Sequence, residues 1–144
     1  QLANMYYLHQ NLFSKIIAAN TLNEFYTLFT VETSAFWETH YTFGKPSKVS
    51  KKKVTKAFVD LLLINTIIPI KFSYAKQLGK TIDEEIIRML QQITSEKNSI
   101  VDKFNGLKKV SHSALESQAL LQLKNEYCDK NKCLKCAVGN SLLK

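Results

Sequence analysis

The chain has 144 residues, of which 45% are hydrophobic, and this is the composition of a folded globular protein rather than of a disordered tail. Only four glycines and two prolines interrupt it, which argues against a β-sandwich with many turns and favours helices. The formal net charge is +8, but Arg88 is the single arginine, and composition alone gives little support for an anionic partner.

Apolar spacing and capping motifs divide the chain into helices. Apolar residues recur at helical spacing from Leu2 to Ala19. Three capping boxes each predict a helix start: Thr21-x-x-Glu24, Thr81-x-x-Glu84 and Ser113-x-x-Glu116. Ser34 is predicted to cap a helix carrying "AFWETHYTFG", and Ser50 a long helix that Pro69 kinks or breaks. Gly79 is predicted to end the helix that follows Pro69.

No segment alternates with a period of two residues for long enough to indicate a sheet. The sequence therefore predicts an all-α fold, a compact and irregular bundle of about six to eight helices with a C-terminal cysteine cluster. We expect residues 1–144 to form a single helical domain. Because a helical pattern is already under way at Gln1, we also expect this domain to be the C-terminal part of a longer protein.

The most apolar segment, from Ala57 to Ile70, contains Asp60, Asn65 and Pro69. We interpret it as a core helix that is too short and too interrupted to span a bilayer, and no membrane partner is predicted. The N-terminus shows no basic region followed by an apolar one, as a signal peptide would. An odd number of cysteines in such a chain is typical of a reducing compartment, so the predicted location is the cytoplasm.

All three cysteines lie in the motif Cys128-x4-Cys133-x2-Cys136. A C-x-x-C pair can place both sulfurs on one tetrahedral ion, and the third thiolate leaves the set one ligand short of a zinc site or a four-iron cluster. His112 is the preferred fourth ligand because it immediately precedes the helix that leads to Cys128. The alternatives are His9, His40 or a residue upstream. We predict zinc or an iron–sulfur cluster, while buried packing and thiol redox chemistry stay open.

An aromatic segment runs directly into a lysine-rich one in "AFWETHYTFGKPSKVSKKKVTK", and no acidic residue intervenes between Glu38 and Asp60. Aromatic rings stack on bases and lysines neutralise phosphates. The predicted nucleic-acid-binding residues are Trp37, Tyr41, Lys45, Lys48, Lys51, Lys52, Lys53 and Lys56. The alternative interpretation makes Trp37 and Tyr41 core anchors, four residues apart, and the lysines a solvated loop. His40 is interpreted as a hydrogen-bonded core histidine.

Motifs that carry catalysis are absent from the sequence. It contains no glycine-rich phosphate loop, no GxSxG and no HExxH. The acidic residues Asp83, Glu84 and Glu85 fall in the first turn of a predicted helix, where carboxylates interact favourably with the helix dipole. We therefore predict no catalytic residue in this chain.

Four stretches resemble a bacterial family known only as domain of unknown function 2851. They are "FWETHYTFG", "INTIIP", "SQALLQLKNEYC" and "CLKCAVGN". The resemblance covers nearly all of the chain and concerns the C-terminal portion of the family's longer members. Their N-terminal half, which this sequence lacks, carries acidic motifs similar to a nuclease fold. Lys71 and Ala75 depart from the family's pattern, which has an apolar residue and a glycine in this region.

Together, these features predict a non-catalytic helical accessory domain of a nucleic-acid-processing, nuclease-like protein. A metal or iron–sulfur staple would fasten its C-terminal helices, and an upstream domain of the same protein would be its partner. The alternative is a helical scaffold for protein–protein interaction, with structural or inert cysteines and lysines that only keep it soluble.

Overall fold

The computed structural model describes residues 2–143, and within them it contains nine helices and a two-stranded sheet. The prediction of an all-α fold is confirmed. The chain divides into two compact units, one up to Glu85 and one from Ile86. In the first unit the helices are α1 (Leu2–Leu8), α2 (Leu12–Ala18), α3 (Leu22–Phe29), α4 (Ala35–Glu38) and α5 (Lys56–Gln77). Strands β1 (His40–Thr42) and β2 (Lys45–Pro46) lie between α4 and α5.

The N-terminal helical pattern is split, and the next helix begins where predicted. Asn11 adopts a left-handed conformation (φ 63°), which asparagine tolerates better than most residues, and this separates α1 from α2. At the start of α3 the Glu24 N–H donates to Thr21 Oγ1 (3.3 Å), and the Thr21 N–H donates to the Glu24 carboxylate (3.2 Å). The predicted capping box is confirmed.

Helix α5 starts later and runs further than the sequence indicated. Its cap is Thr55, whose Oγ1 accepts the Phe58 N–H (3.2 Å), so the prediction of a Ser50 cap is wrong. A π-helical turn over Leu63–Ile67 ends two residues before Pro69. Proline lacks the N–H that an α-helix needs, and a π turn already offsets the hydrogen-bond ladder at that point, so the helix continues. It ends before Gly79, whose φ of 67° confirms the predicted cap.

The length of α5 bears on whether this helix could span a membrane. Among residues 2–143 it is the one helix long and apolar enough to cross a membrane, by length and composition alone. The apolar segment from Ala57 to Ile70 was judged too short to span a bilayer, but the helix that contains it continues past Pro69 to Gln77. A core helix of a soluble protein passes the same test. Val59, Leu63 and Ile67 of α5 are buried in the first unit, but only 33% of the apolar window is buried, and the core interpretation stays a prediction.

A hydrogen bond between α3 and α5 makes stability depend on pH. The Tyr26 hydroxyl donates to Asp60 Oδ1 (2.6 Å). Burial, and then this bond, raise the pKa of Tyr26 above its ordinary value. A pKa raised by folding means that the unfolded chain loses this proton first, so the contribution is intact below about pH 10 and is lost as the pH rises further.

We therefore expect the free energy of unfolding to fall as the pH rises above about 10. Part of that decline should be absent from Tyr26→Phe, because phenylalanine has no proton to lose. Urea unfolding at a series of alkaline pH values measures it, and Tyr6→Phe, at an exposed position, is the control. Identical slopes for wild type and Tyr26→Phe would contradict the expectation.

In the second unit, the predicted capping box at Ser113 is confirmed. The helices are α6 (Asp83–Gln92), which crosses from the first unit, then α7 (Ser99–Leu107), α8 (Ala114–Gln122) and α9 (Ala137–Leu142). A π turn, Leu123–Cys128, prolongs α8, and a 3₁₀ turn, Cys133–Lys135, precedes α9. The Ala114 N–H donates to the Ile93 carbonyl (2.8 Å), which fixes the start of α8 against the end of α6.

Candidate nucleic-acid interface

The aromatic segment forms a hairpin instead of the predicted helix. Helix α4 stops after four residues, and the side chain of Ser34 makes no capping hydrogen bond. Strand β1 then pairs antiparallel with β2, with Phe43 and Gly44 between them. Trp37 is half-buried and Tyr41 is 71% exposed, so Tyr41 is not a core anchor.

The lysine-rich segment after the hairpin is fastened by its own backbone. The hydrogen bonds run from the Ser47 N–H to the Thr39 carbonyl (2.6 Å), from the Ser50 N–H to the Glu38 carbonyl (2.9 Å) and from the Thr33 hydroxyl to the Lys52 carbonyl (3.3 Å). An isolated β-bridge joins Glu32 and Lys53. The backbone of the segment is therefore held against the residues on both sides of α4, while most of its lysine side chains are exposed.

These contacts create an open cleft of about 490 Å³. Its lining residues are Thr33, Trp37, His40, Tyr41, Lys51, Lys52 and Lys53. None of the described residues that line it is acidic, so three lysines face two aromatic rings and an imidazole without a compensating carboxylate. Five of the eight predicted nucleic-acid-binding residues are thus brought together. Lys45, Lys48 and Lys56 are exposed but lie outside the cleft.

Lys52 organises the side of the cleft that Tyr41 forms. Its Nζ donates to the His40 carbonyl (2.6 Å) and lies 3.5 Å from the centroid of the Tyr41 ring. An ammonium over the face of an aromatic ring is attracted by the ring quadrupole. The interaction orients the Tyr41 ring, and it places a positive charge directly beside the ring.

His40 is hydrogen-bonded, as predicted, but it lines the cleft instead of lying in the core. Its Nδ1 is 3.0 Å from the Phe36 carbonyl and 2.9 Å from Thr39 Oγ1. The imidazole stacks on the Phe36 ring with centroids 4.1 Å apart and planes within 5°. Trp37 and Phe43 contact edge to face at 5.1 Å. The aromatic side chains therefore hold one another in position through ring contacts, without being buried in the core.

Sequence reasoning missed two residues of the cleft. His40 was assigned to the core because it lies among aromatic residues. Thr33 carried no signal at all, since it reaches the cleft only through the hydrogen bond to Lys52 and the neighbouring bridge of Glu32 with Lys53. Local sequence does not encode such a contact.

The three cysteines occupy three different environments. Cys128 ends the π turn and is exposed, Cys133 begins the 3₁₀ turn and is exposed, and Cys136 precedes α9 and is buried. Within residues 2–143 no group of three His, Cys, Asp or Glu side chains is placed to hold a metal ion. His112 is exposed and begins the capping structure of α8, where its N–H donates to the Glu116 carboxylate (2.6 Å). The metal site stays a prediction.

Metal content tests the cysteine prediction directly. If the thiolates share an ion, protein purified without oxygen should contain about one zinc per chain or show the visible absorption of an iron–sulfur cluster. Cys136→Ser should lose the metal, and His112→Ala should lose it only if the imidazole is the fourth ligand. Folded protein without metal would leave Cys136 as a small buried apolar residue.

The family described as protein of unknown function (DUF2851) matches residues 1–99, which include every residue of the cleft and end before the cysteine motif. No curated protein and no solved structure matches the chain.

Proposed function

The chain belongs to the DUF2851 family, and we propose that it is a helical, non-catalytic accessory domain that binds nucleic acid through this cleft. The observation that carries the proposal is the meeting of Lys51, Lys52 and Lys53 with Trp37 and Tyr41 in one cleft whose described lining has no acidic side chain. Lysines neutralise phosphates and aromatic rings accept bases, so both parts of a nucleotide have a partner.

Because the backbone of the lysine-rich segment is already held by hydrogen bonds, binding costs it less conformational freedom. A flexible lysine-rich loop would lose conformational freedom when it bound a polyanion, and that loss opposes binding. Here the Lys52 carbonyl already accepts a hydrogen bond from the Thr33 hydroxyl, and Lys53 is bridged to Glu32. As an accessory domain of a nuclease-like protein, the cleft would hold substrate for chemistry performed elsewhere in that protein.

Salt dependence is the first test of the proposal. Three phosphate contacts predict that the logarithm of the binding constant for a labelled oligonucleotide falls with the logarithm of salt concentration, with a slope of about −2 to −3. Fluorescence anisotropy measures it. Lys51→Gln and Lys53→Gln should each weaken binding and reduce that slope by about 1.

Lys76→Gln is the matched control, because it removes the same charge from an exposed lysine in the last turn of α5. It should leave the slope nearly unchanged. An equal effect of all three variants would mean that net charge, and not the cleft, attracts the nucleic acid.

Two other outcomes would overturn the proposal. Binding to vesicles that contain phosphatidylserine, without binding to oligonucleotides at low salt, would assign the cleft to an anionic membrane surface. Indifference to both polyanions, together with a saturable protein partner, would favour the interaction scaffold.

A further inference from the structure

We infer that the cleft selects single-stranded over duplex nucleic acid, and that the rings of Tyr41 and Phe43 at the hairpin supply the stacking surface for unpaired bases. The inference rests on the proposed function and goes beyond it, because phosphate binding by lysines does not distinguish the two forms. It follows from the exposure and the packing of the two rings.

Tyr41 has one occupied face and one available face. Lys52 Nζ lies 3.5 Å from the ring centroid and covers one side, yet the residue is 71% exposed. Most of that exposed surface therefore belongs to the opposite face and the edge. A base that stacked there would lie on a ring whose far side holds an ammonium.

Phe43 is exposed but held in position. The residue is 83% exposed at the end of the hairpin, and exposure of an apolar ring to water is energetically unfavourable. Its ring lies 5.1 Å from the Trp37 ring and 6.0 Å from the Phe36 ring, so these two side chains orient it. A ring that is both exposed and fixed can accept a base with little further loss of conformational freedom.

Stacking on an exposed ring requires a base whose face is free. Tyr41 lies in β1 and Phe43 in the turn that joins β1 to β2, so the hairpin carries both rings. Neighbouring bases of a duplex strand are about 3.4 Å apart and cover each other's faces. An unpaired strand can present free base faces to these rings, whereas the bases inside an intact duplex cover each other.

The lysines of the cleft do not favour a duplex either. Reading bases in the major groove depends chiefly on bidentate Arg, Asn or Gln contacts, and Lys51 and Lys53 are point charges.

The test compares three labelled ligands of equal length by anisotropy: a single-stranded oligothymidine, a duplex, and an abasic single strand with the same phosphates. We expect the single strand to bind at least about tenfold more tightly than the abasic strand, from stacking of one or two bases. The duplex should bind about as weakly as the abasic strand. This comparison needs no variant protein, so a folding defect cannot confuse it.

Two pairs of variants then assign the rings. Tyr41→Ala and Phe43→Ala should each weaken single-strand binding by about fivefold or more and leave abasic binding nearly unchanged. Tyr41→Phe and Phe43→Tyr keep the rings and should restore binding. Quenching of Trp37 fluorescence by the single strand, and not by the abasic strand, would give an independent signal at the cleft.

The results separate the inference from the proposed function. Equal, salt-dependent binding of all three ligands would overturn the single-strand inference and leave the phosphate-binding function standing. Tighter binding of the duplex would do the same. Absence of binding to every ligand at low salt would overturn both.

Discussion

Replacement of Lys71 by methionine is expected to lower the free energy of unfolding by about 3–5 kcal/mol, the cost of breaking a buried, hydrogen-bonded charge network. Lys71 lies in α5 and is 4% exposed. Its Nζ donates to the Ile17 carbonyl (3.1 Å), to the Ala19 carbonyl and to Asn20 Oδ1 (3.3 Å). An ammonium has three protons, so these three oxygens satisfy it completely.

The partners explain why the charge belongs at this position. Ile17 lies in the last turn of α2 and Ala19 directly after it, where carbonyl groups lack partners within the helix and the dipole favours a cation. Lys71 therefore caps α2 from a different helix. Its Nζ is also 3.6 Å from Glu85 Oε1, which is buried and accepts no hydrogen bond from the described residues.

Methionine would fill much of the space of the lysine stem but would leave two carbonyls, an amide oxygen and a carboxylate without their cation. The measurement is urea unfolding followed by circular dichroism. Lys76→Met, at an exposed position one turn and a half further along α5, is the control and should cost less than about 0.5 kcal/mol.

Addition of Glu85→Gln to the Lys71→Met variant should recover part of the loss, because it removes the half-buried carboxylate that would lack its counter-charge. Equal stability of Lys71→Met and Lys76→Met would show that the ammonium contributes nothing to the fold. The sequence resemblance places an apolar residue in this region of the family, and methionine at 71 tests whether this chain has come to depend on the charge.

The sequence predicted those features whose partners lie within a few residues of each other. The capping boxes at Thr21 and Ser113 were found because the N-cap and its partner are three positions apart. Lys71 was noticed only as a departure from a pattern, since its acceptors are more than 50 residues away. No local rule connects a lysine to the end of a helix formed so much earlier.

The hairpin shows how a local signal can mislead. Ser34 followed by aromatic residues at positions 37 and 41 has the spacing of a helix, yet the helix ends at Glu38. The Glu38 and Thr39 carbonyls bond instead to the Ser50 and Ser47 N–H groups, which come from further along the chain. The members of the cleft were nevertheless mostly predicted, because the rings and the lysines are close in sequence in either conformation.

Gly139→Ala is expected to detach the turn that carries Cys133 from α9. A Cβ at position 139 would lie 2.3 Å from the Cys133 carbonyl oxygen, 2.9 Å from its carbon and 3.0 Å from its Cα. All three are backbone atoms, so no side chain can rotate away to make room. Overpacking of this kind costs about 1–3 kcal/mol, and for a terminal segment the cheapest response is local opening.

Thiol labelling measures this local opening through the reaction rate of each cysteine. In the metal-free wild type, exposed Cys128 and Cys133 should react quickly with Ellman's reagent and buried Cys136 slowly. In Gly139→Ala all three should react quickly. Gly106→Ala is the control, because a Cβ there meets nothing within 4 Å inside α7, and it should stabilise the helix by about 0.5–1 kcal/mol.

The same thiol labelling also tests the cysteine motif, because it distinguishes two ways in which a thiol can be protected from the reagent. Burial against the chain protects only Cys136, whereas a shared ion would protect Cys128, Cys133 and Cys136 together and would be reversed by a chelator. If Gly139→Ala labels like the wild type without metal, the close contact between position 139 and the Cys133 backbone is wrong. If it labels quickly yet still binds zinc, the ion does not require the turn to lie against α9, and the sulfurs gather only when metal is present.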